Sequence, residues 1–550
     1  MSSRPRLRER QLRAESLAGG LQAPEEAQRN LLEAILRENA DTRFGRAHGF
    51  SRLADLETYR RSVPIAGFEA FQPHLEAMLR GDRDVLLPGL PVFFARTSGT
   101  SGAAKHIGYP ANVDTEYHAA IDPMLAFLEE DHPGSTTRAL AITGTYQEAT
   151  APCGVPIGSA SGFVRKMYLD EPFYQLIPEG VWGLTDFDAR YYAILRLALA
   201  EDLSLLNALN PSSLLTLFHK AEQFGEALTE DLRSGTLNAA PLAVQALAPS
   251  LEGRLTPQPL AADRLASSLK ASKRFEPTVV WPNLKVVQTW KGGAATHYLR
   301  SLRERCPGCV VRPAISGSSE GLLMVPLSGD DWCGGVPALH SSVLEFFPED
   351  QAPEAAAFVP ISELTEGPGY RLALTNRRGM YRYLMDDVFV VEGRVARTPV
   401  MRFSHRHGLT SSLTGEKLTE QQVTDAFAAA TDALALAVTD YQLAPEWGEP
   451  PRYLLMIELA TAATDAALTQ LLAAFEAELA QRNLEYAAKR ASHRLSAPQL
   501  LVLQRGEFER HRAALAQARG GSDAQVKVAK LRRDLVDRTL LRVDRVFPSG

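Results

Sequence analysis

Cysteine is scarce: Cys153, Cys306, Cys309 and Cys333 are the only four in 550 residues, too few for a disulfide framework to hold a chain this long. Nowhere do the roughly 20 apolar residues of a membrane-crossing helix run together. The amino-terminal "MSSRPRLRERQLRAESL" lacks the apolar stretch of a secretory signal and reads as a solvated tail leading into a helix. Neither sign of charge dominates. The 59 basic and 65 acidic side chains leave a formal charge of −6, so no general attraction to nucleic acid or anionic lipid is expected. Together these absences argue against a secreted disulfide scaffold, a membrane span and a nucleic-acid binder. They leave the expectation of a cytoplasmic protein acting on small neutral or anionic ligands.

What is present is the composition of an ordinary globular protein, 45% hydrophobic and 23% charged. The length suggests about two to four domains with ample chain for a large core. "EEAQRNLLEAILREN" spaces Leu31, Leu32, Ile35 and Leu36 as one helical face, and "ALAITG" reads as a short buried strand. "TVVWP", "LKVVQTW" and "CVVRPAIS" read as β-rich segments, whereas 201–275 reads as mostly helical. Near 400–415 the pattern turns polar and basic, and beyond it helices and strands alternate compactly. We expect an α/β fold, with a large multi-layer domain over 1–405, a hinge at 406–415, and a smaller mobile α+β lid domain over 416–550.

Cys306 and Cys309 have the spacing of a redox motif in "CPGC". No second Cys/His pair lies nearby to complete a zinc site, and the two read as reduced loop thiols ahead of a strand.

Chemistry concentrates in five other stretches. "RTSGTSGAAKHIGYP" sets Ser98, Gly99, Thr100, Ser101 and Lys105 directly after an apolar run. Small residues let backbone N–H groups approach phosphate oxygens, and hydroxyls and a cation add to the cradle. It is not a P-loop, because Lys105 follows Ala104 and precedes His106. "WKGGAATHY" offers Gly292, Gly293 and Ala294 at a strand end, where a flat ring could lie against bare backbone. "SGSSEG" puts Ser318, Ser319 and Glu320 in a turn, a carboxylate beside hydroxyls that suits Mg²⁺ bridging phosphates. "YRYLMDDVFVVEG" places Asp386 and Asp387 between two strand-like runs, with Asp387 suited to a ribose diol. The tail "GGSDAQVKVAKL" presents Lys527 and Lys530 on a glycine-rich turn.

In this order the stretches resemble the adenylate-forming enzymes to which firefly luciferase belongs. Within them the likeness is to the auxin-responsive acyl-acid amido synthetase (Gretchen Hagen) family in its bacterial form. It shows in "NADTRFGRAHGF", "FFARTSGTSG", "GSSEG", "YRYLMDDVFVVEG", "TPVMRF", "LTGEKLTEQQV" and "EYAAKRASHRL" and runs from about 20 to 540. The resemblance implies an ATP- and Mg²⁺-dependent ligase that activates a small carboxylic acid as its adenylate and passes it to an amine, expected to be an amino acid. Ser98, Gly99, Thr100, Ser101 and Lys105 would line the ATP phosphates. Gly292, Gly293 and Ala294 would border adenine, Ser318 and Ser319 would meet phosphate, and Glu320 would hold the metal. Asp387 would hold the ribose, Arg406 would stand near the nucleotide, and Lys527 would be the mobile lysine of the small domain. Two departures stand out: Ser316 replaces the aromatic residue expected before Gly317, and "QVKVAK" lacks the usual Pro-Arg. Transfer to coenzyme A or a carrier thiol, or nucleotide binding without turnover, remain alternatives to amide formation.

Overall fold

The computed structural model describes residues 3–548 apart from 54, 98–104, 170–173, 355–356, 409, 415, 417, 449, 492–494 and 519–528. Its organising element is a parallel sheet in chain order, Ala139–Ile142, Leu205–Ala208, Val286–Thr289 and Val310–Pro313. The first and third of these strands are buried along their whole length, as a parallel sheet covered on both faces requires. Helices Phe187–Ala198, Pro211–Gln223 and Thr296–Arg305 make the connections. Their apolar sides form a core with Trp182, Trp281 and Phe218.

A second layer holds three antiparallel or mixed sheets. Phe93–Thr97 pairs with Lys105–Tyr109 and with Pro156–Gly158. Leu322–Val325 lies between Ser316–Gly317 and Val336–Pro337. The largest runs Val343–Pro348, Gly369–Thr375, Tyr383–Val395, Thr398–Arg406. Helix Pro24–Glu38 lays Leu31, Leu32, Ile35 and Leu36 into this core, as the spacing of those residues predicts.

The carboxy-terminal part is a sheet in the order Val438–Glu446, Arg452–Leu459, Gln499–Leu503, Val543–Pro548. Helices Glu420–Ala433 and Asp465–Arg482 cover it, burying Val423, Phe427, Leu468, Leu472 and Phe475. Thr419 and Gln422 start the first helix with a reciprocal capping box. The sequence pattern shows this alternation of helix and strand, but not the strands Val438–Glu446 and Val543–Pro548.

Three local expectations are corrected. "TVVWP" is not extended: Pro277–Val280 forms a helical turn, with Pro277 in its first turn, where no N–H is needed. There Trp281 donates from Nε1 to Ala198 O at 3.1 Å, so tertiary burial overrides β-propensity. The stretch 201–275 is mostly helical as expected, and also holds the sheet strand Leu205–Ala208. Asp386 and Asp387 do not separate two strands but lie within one, Tyr383–Val395. The Arg-rich start is helix Ser3–Gln22, which buries Leu17 and Leu21 and pairs Arg13 with Asp122 of helix Asp114–Asp131. Among the described residues no helix is long and apolar enough to cross a membrane.

Candidate functional site

The carboxyl ends of parallel strands are where ligands bind in open α/β sheets, because loops and helix starts diverge there and leave a crevice. Here all four strand ends open into one cleft of about 530 Å³. They contribute Thr143, Asn210, the run Trp290 to Gly292, and the run Ala314 to Glu320. Across from them stand Lys105 and Arg96 of the neighbouring sheet, Asp387 and Arg406 of the largest one, and Lys530 from the carboxy-terminal part.

The turn bearing Ser318, Ser319 and Glu320 is held from behind. Ser318 N–H donates to Gly321 O at 2.9 Å and Glu320 N–H to Ser318 Oγ at 3.2 Å. Arg378 Nη1 and Tyr109 Oη donate to Ser319 O at 3.0 and 3.2 Å, and Asn376 Nδ2 to Glu320 O at 2.7 Å. Arg378 is itself fixed by a fully buried ion pair with Glu116, Nε to Oε2 at 3.0 Å. Such backing keeps a turn in one conformation, and leaves the Glu320 carboxylate, only 9% exposed as a residue, at the cleft wall.

Alternation along Tyr383–Val395 divides the two aspartates. Asp386 is an exposed side chain 3.7 Å from Arg371, whereas Asp387 is buried and accepts from Arg406 Nε at 3.1 Å. Burial would lower the Arg406 guanidinium pKa, but the carboxylates of Asp387, Glu320 and Asp386 around it outweigh burial and raise it. One cation therefore faces three carboxylates gathered from two separate segments. Lys105 opens its strand with the ammonium 4.3 Å over the Phe68 ring.

The glycine pair is arranged differently from the expectation. Gly292 lines the cleft, but a Cβ on it would meet Phe403 O at 2.4 Å. Gly293 has φ +59°, and a Cβ there would meet the Phe403 ring at 2.6 Å. The bare backbone thus admits the strand Thr398–Arg406, not in the first place a ligand ring. Ala294 follows within the short 3-10 turn Gly293–Ala295. Ser98, Gly99, Thr100, Ser101 and Lys527 lie outside the described residues.

Sequence reasoning missed the cluster that closes the cleft from the carboxy-terminal side. Lys530, read as a lysine on an open tail turn, is 1% exposed; its Nζ binds Asp440 and donates to Tyr298 Oη at 2.9 Å. Arg512 Nη1 donates to Asp440 Oδ2 at 2.8 Å. Burial would lower the Lys530 ammonium pKa, but Asp440 and the Tyr298 and Tyr441 hydroxyls outweigh it and raise the value. Glu420, beside them and accepting the Lys530 N–H, is raised by burial. No local pattern marks Tyr298 or Asp440; only the tertiary approach of a helix and a strand 142 positions apart does.

Apolar side chains line the cleft as well: Tyr117, Ile121, Met124 and Leu125 of helix Asp114–Asp131, with Val164 and Leu322. Asn207, also on the wall, donates to Gln288 Oε1 at 2.8 Å. The lining thus offers both charged groups and apolar surface to a ligand.

Comparison with known proteins places most of the chain in one family. The GH3 family N-terminal domain matches residues 14–311, the central domain 335–406 and the C-terminal domain 421–535. A jasmonoyl–L-amino acid synthetase of Nicotiana attenuata, JAR6, is 24% identical over 509 residues, covering 88% of this chain and 87% of its own. A probable indole-3-acetic acid-amido synthetase of Oryza sativa subsp. japonica, GH3.12, is 25% identical, covering 91% and 89%. The solved AtGH3.15 acyl acid amido synthetase in complex with 2,4-DB superposes with a TM-score of 0.85 at 19% identity, over 98% of this chain and 97% of that one. With more than half of its length matched by the N-terminal domain alone, the chain belongs to the GH3 family of acyl acid amido synthetases.

Proposed function

We propose that the protein is an ATP-dependent acid–amino acid ligase that activates a small apolar carboxylic acid as its acyl-adenylate and then forms an amide. The observation that carries this reading is the one cleft, lined also by apolar side chains, in which Lys105, the Ser318–Glu320 turn, Asp387 and Arg406 converge.

A carboxylate and an amine do not condense directly, because they exchange a proton and the leaving group is poor. Attack of the carboxylate oxygen on the α-phosphorus expels pyrophosphate; attack of the amine on the resulting acyl carbon expels AMP. In this reading Lys105, with Ser98, Gly99, Thr100 and Ser101 of the loop before it, holds the phosphates and stabilises the charge that develops on them. Ser318 and Ser319 add donors, Asp387 accepts from the ribose hydroxyls, and Arg406 neutralises Asp387 until nucleotide arrives. Gly292, next to Gly293 and Ala294, borders the base in this reading, and Trp290, Tyr383 and Phe403 supply rings where Ser316 does not. Lys527 is proposed as the second cation over the reacting phosphate.

Glu320 fits Mg²⁺. Among the described residues no three His, Cys, Asp or Glu side chains form a metal cage, and this cation is held by one or two carboxylates together with substrate phosphates and water. Bound there, it would supply charge neutralisation for the leaving pyrophosphate. The segment 406–415 is proposed as a hinge that lets the carboxy-terminal domain exclude water in one pose and admit the amine in another. The bacterial form of the family rests on the sequence resemblance.

The deciding test is acid-dependent pyrophosphate release over a panel of aryl, indolyl and alkyl carboxylic acids, with each product weighed after adding amino acids or coenzyme A. Amide products support the reading. A coenzyme A thioester as the only product, or ATP binding without pyrophosphate release from any acid, would sink it.

A further inference from the structure

We propose that Cys306 and Cys309 form a redox-active dithiol that closes into an intramolecular disulfide by exchange with a small-molecule disulfide of the glutathione type. This rests on the turn that holds the two residues and is independent of the ligase reading.

The turn is built for it. Cys306 ends helix Thr296–Arg305, its N–H bonded to Leu302 O at 3.0 Å. Cys309 N–H then donates back to Cys306 O at 3.1 Å. Between them Pro307 holds its φ by its ring and Gly308 takes φ +81°, the residue types a type II turn needs at its two central positions. A four-residue turn of this kind keeps its end Cα atoms within about 7 Å, which overlaps the usual disulfide span of about 4.4 to 6.8 Å. The backbone turn thus already brings the two residues within the span a disulfide needs. Among the described residues no metal-binding group of three includes them, so the pair is not half of a metal site.

The two thiols are unequal. Cys306 is 1% exposed, in the core that also holds Leu299, Leu302 and Val311. Hydrogen bonding to Cys309 and burial both push its thiol pKa up. Cys309 is half-buried, its Sγ donating to Leu284 O at 3.4 Å, and the hydrogen bond from Cys306 draws its pKa down. The attacking group is therefore Cys309, the one that is both reachable and more easily deprotonated. Its thiolate attacks one sulfur of the external disulfide, whose S–S bond breaks and releases one thiolate. Cys306 then loses its proton and attacks the Cys309 sulfur of the mixed disulfide, displacing the second thiolate. In sum two protein thiols are oxidised, one external disulfide is reduced to two thiols, and the two protons pass to the released thiolates. The same helix carries Ala295 and Tyr298 at its other end into the cleft, so the turn lies on an element the site is built from.

The test uses the full chain in graded mixtures of oxidised and reduced glutathione, quenched by acid, alkylated and weighed as peptides. Wild type is expected to lose both alkylatable thiols and two hydrogen atoms from the peptide spanning 306–309, and to recover them with dithiothreitol. Cys306→Ser is expected to accumulate glutathione on Cys309, whereas Cys309→Ser leaves Cys306 as a free thiol. Cys306→Ala replaces the serine variant should a hydroxyl in the core unfold the chain. Persistence of both thiols in wild type across the oxidising mixtures would overturn the proposal, as would uptake of glutathione by Cys306 in Cys309→Ser as fast as by Cys309 in Cys306→Ser.

Discussion

Tyr298 donates its hydroxyl hydrogen to Asp440 Oδ2 at 3.0 Å, tying a helix of the parallel-sheet layer to the first strand of the carboxy-terminal sheet. Asp440 is in turn the shared anion of Lys530 and Arg512. Two variants separate the parts. Tyr298→Phe leaves the charges paired but removes the hydroxyl that donates to Asp440 and accepts from Lys530, and is expected to lower stability by about 1.5–3 kcal/mol. Asp440→Ala leaves a buried ammonium without its carboxylate, and is expected to cost about 3–5 kcal/mol. Urea denaturation of both checks the ranking; equal losses would contradict it.

Asp387 buries a carboxylate whose partner on the protein is Arg406. If Asp387 holds the ribose as proposed, Asp387→Ala is expected to raise the KM for ATP by about tenfold to a hundredfold, the equivalent of one charge-assisted hydrogen bond, and to leave the KM for the acid within about twofold, since the lost contact is to the nucleotide. Initial rates of pyrophosphate release at varied ATP and varied acid measure both constants.

Gly293→Ala places a methyl group against the Phe403 ring at a backbone φ of +59°. The left-handed conformation alone costs a non-glycine residue about 1–2 kcal/mol, and the contact adds to it. The variant should melt earlier than wild type, and Phe403→Ala should recover the contact part of that loss in the double variant.

Glu416 responds to pH. Burial would raise its pKa, but N–H donors of Leu413 and Thr414 and the Tyr453 hydroxyl outweigh burial and lower it. A carboxylate depressed in the folded state contributes stability above its unfolded pKa of about 4.3 and loses it as pH falls through the folded value. Glu416→Gln should therefore be less stable than wild type by about 1–3 kcal/mol at pH 7, with the gap closing below about pH 4. Denaturation at a series of pH values reads the convergence.

Part of the cleft wall is legible locally. Glycine, hydroxyl and carboxylate runs after apolar segments mark Gly292 and Ser318 to Glu320, because strand ends are where an α/β sheet exposes its loops, whereas Lys105 and Asp387 reach the same cleft from strands of other sheets. The helix Asp465–Arg482 is equally legible, since Leu468, Leu471, Leu472, Phe475 and Leu479 repeat at helical spacing. "TVVWP" misleads because β-branched residues report a preference for a pleated surface, while Pro277 and the burial of Trp281 decide the turn. Lys530 misleads because a lysine near a glycine-rich run looks solvated until a partner arrives from elsewhere.

By itself the order of residues determined most helices and several strands, and set out the glycine-, hydroxyl- and carboxylate-bearing runs that reach the cleft, since periodicity and side-chain type act over a few neighbouring positions. Tertiary structure alone decided that Gly293 meets Phe403, that Asp387 and not Asp386 is buried, and that Lys530, Asp440 and Tyr298 form one buried cluster. Those outcomes depend on the approach of elements far apart in the chain, where burial fixes the cost of every unpaired charge and every added methyl group.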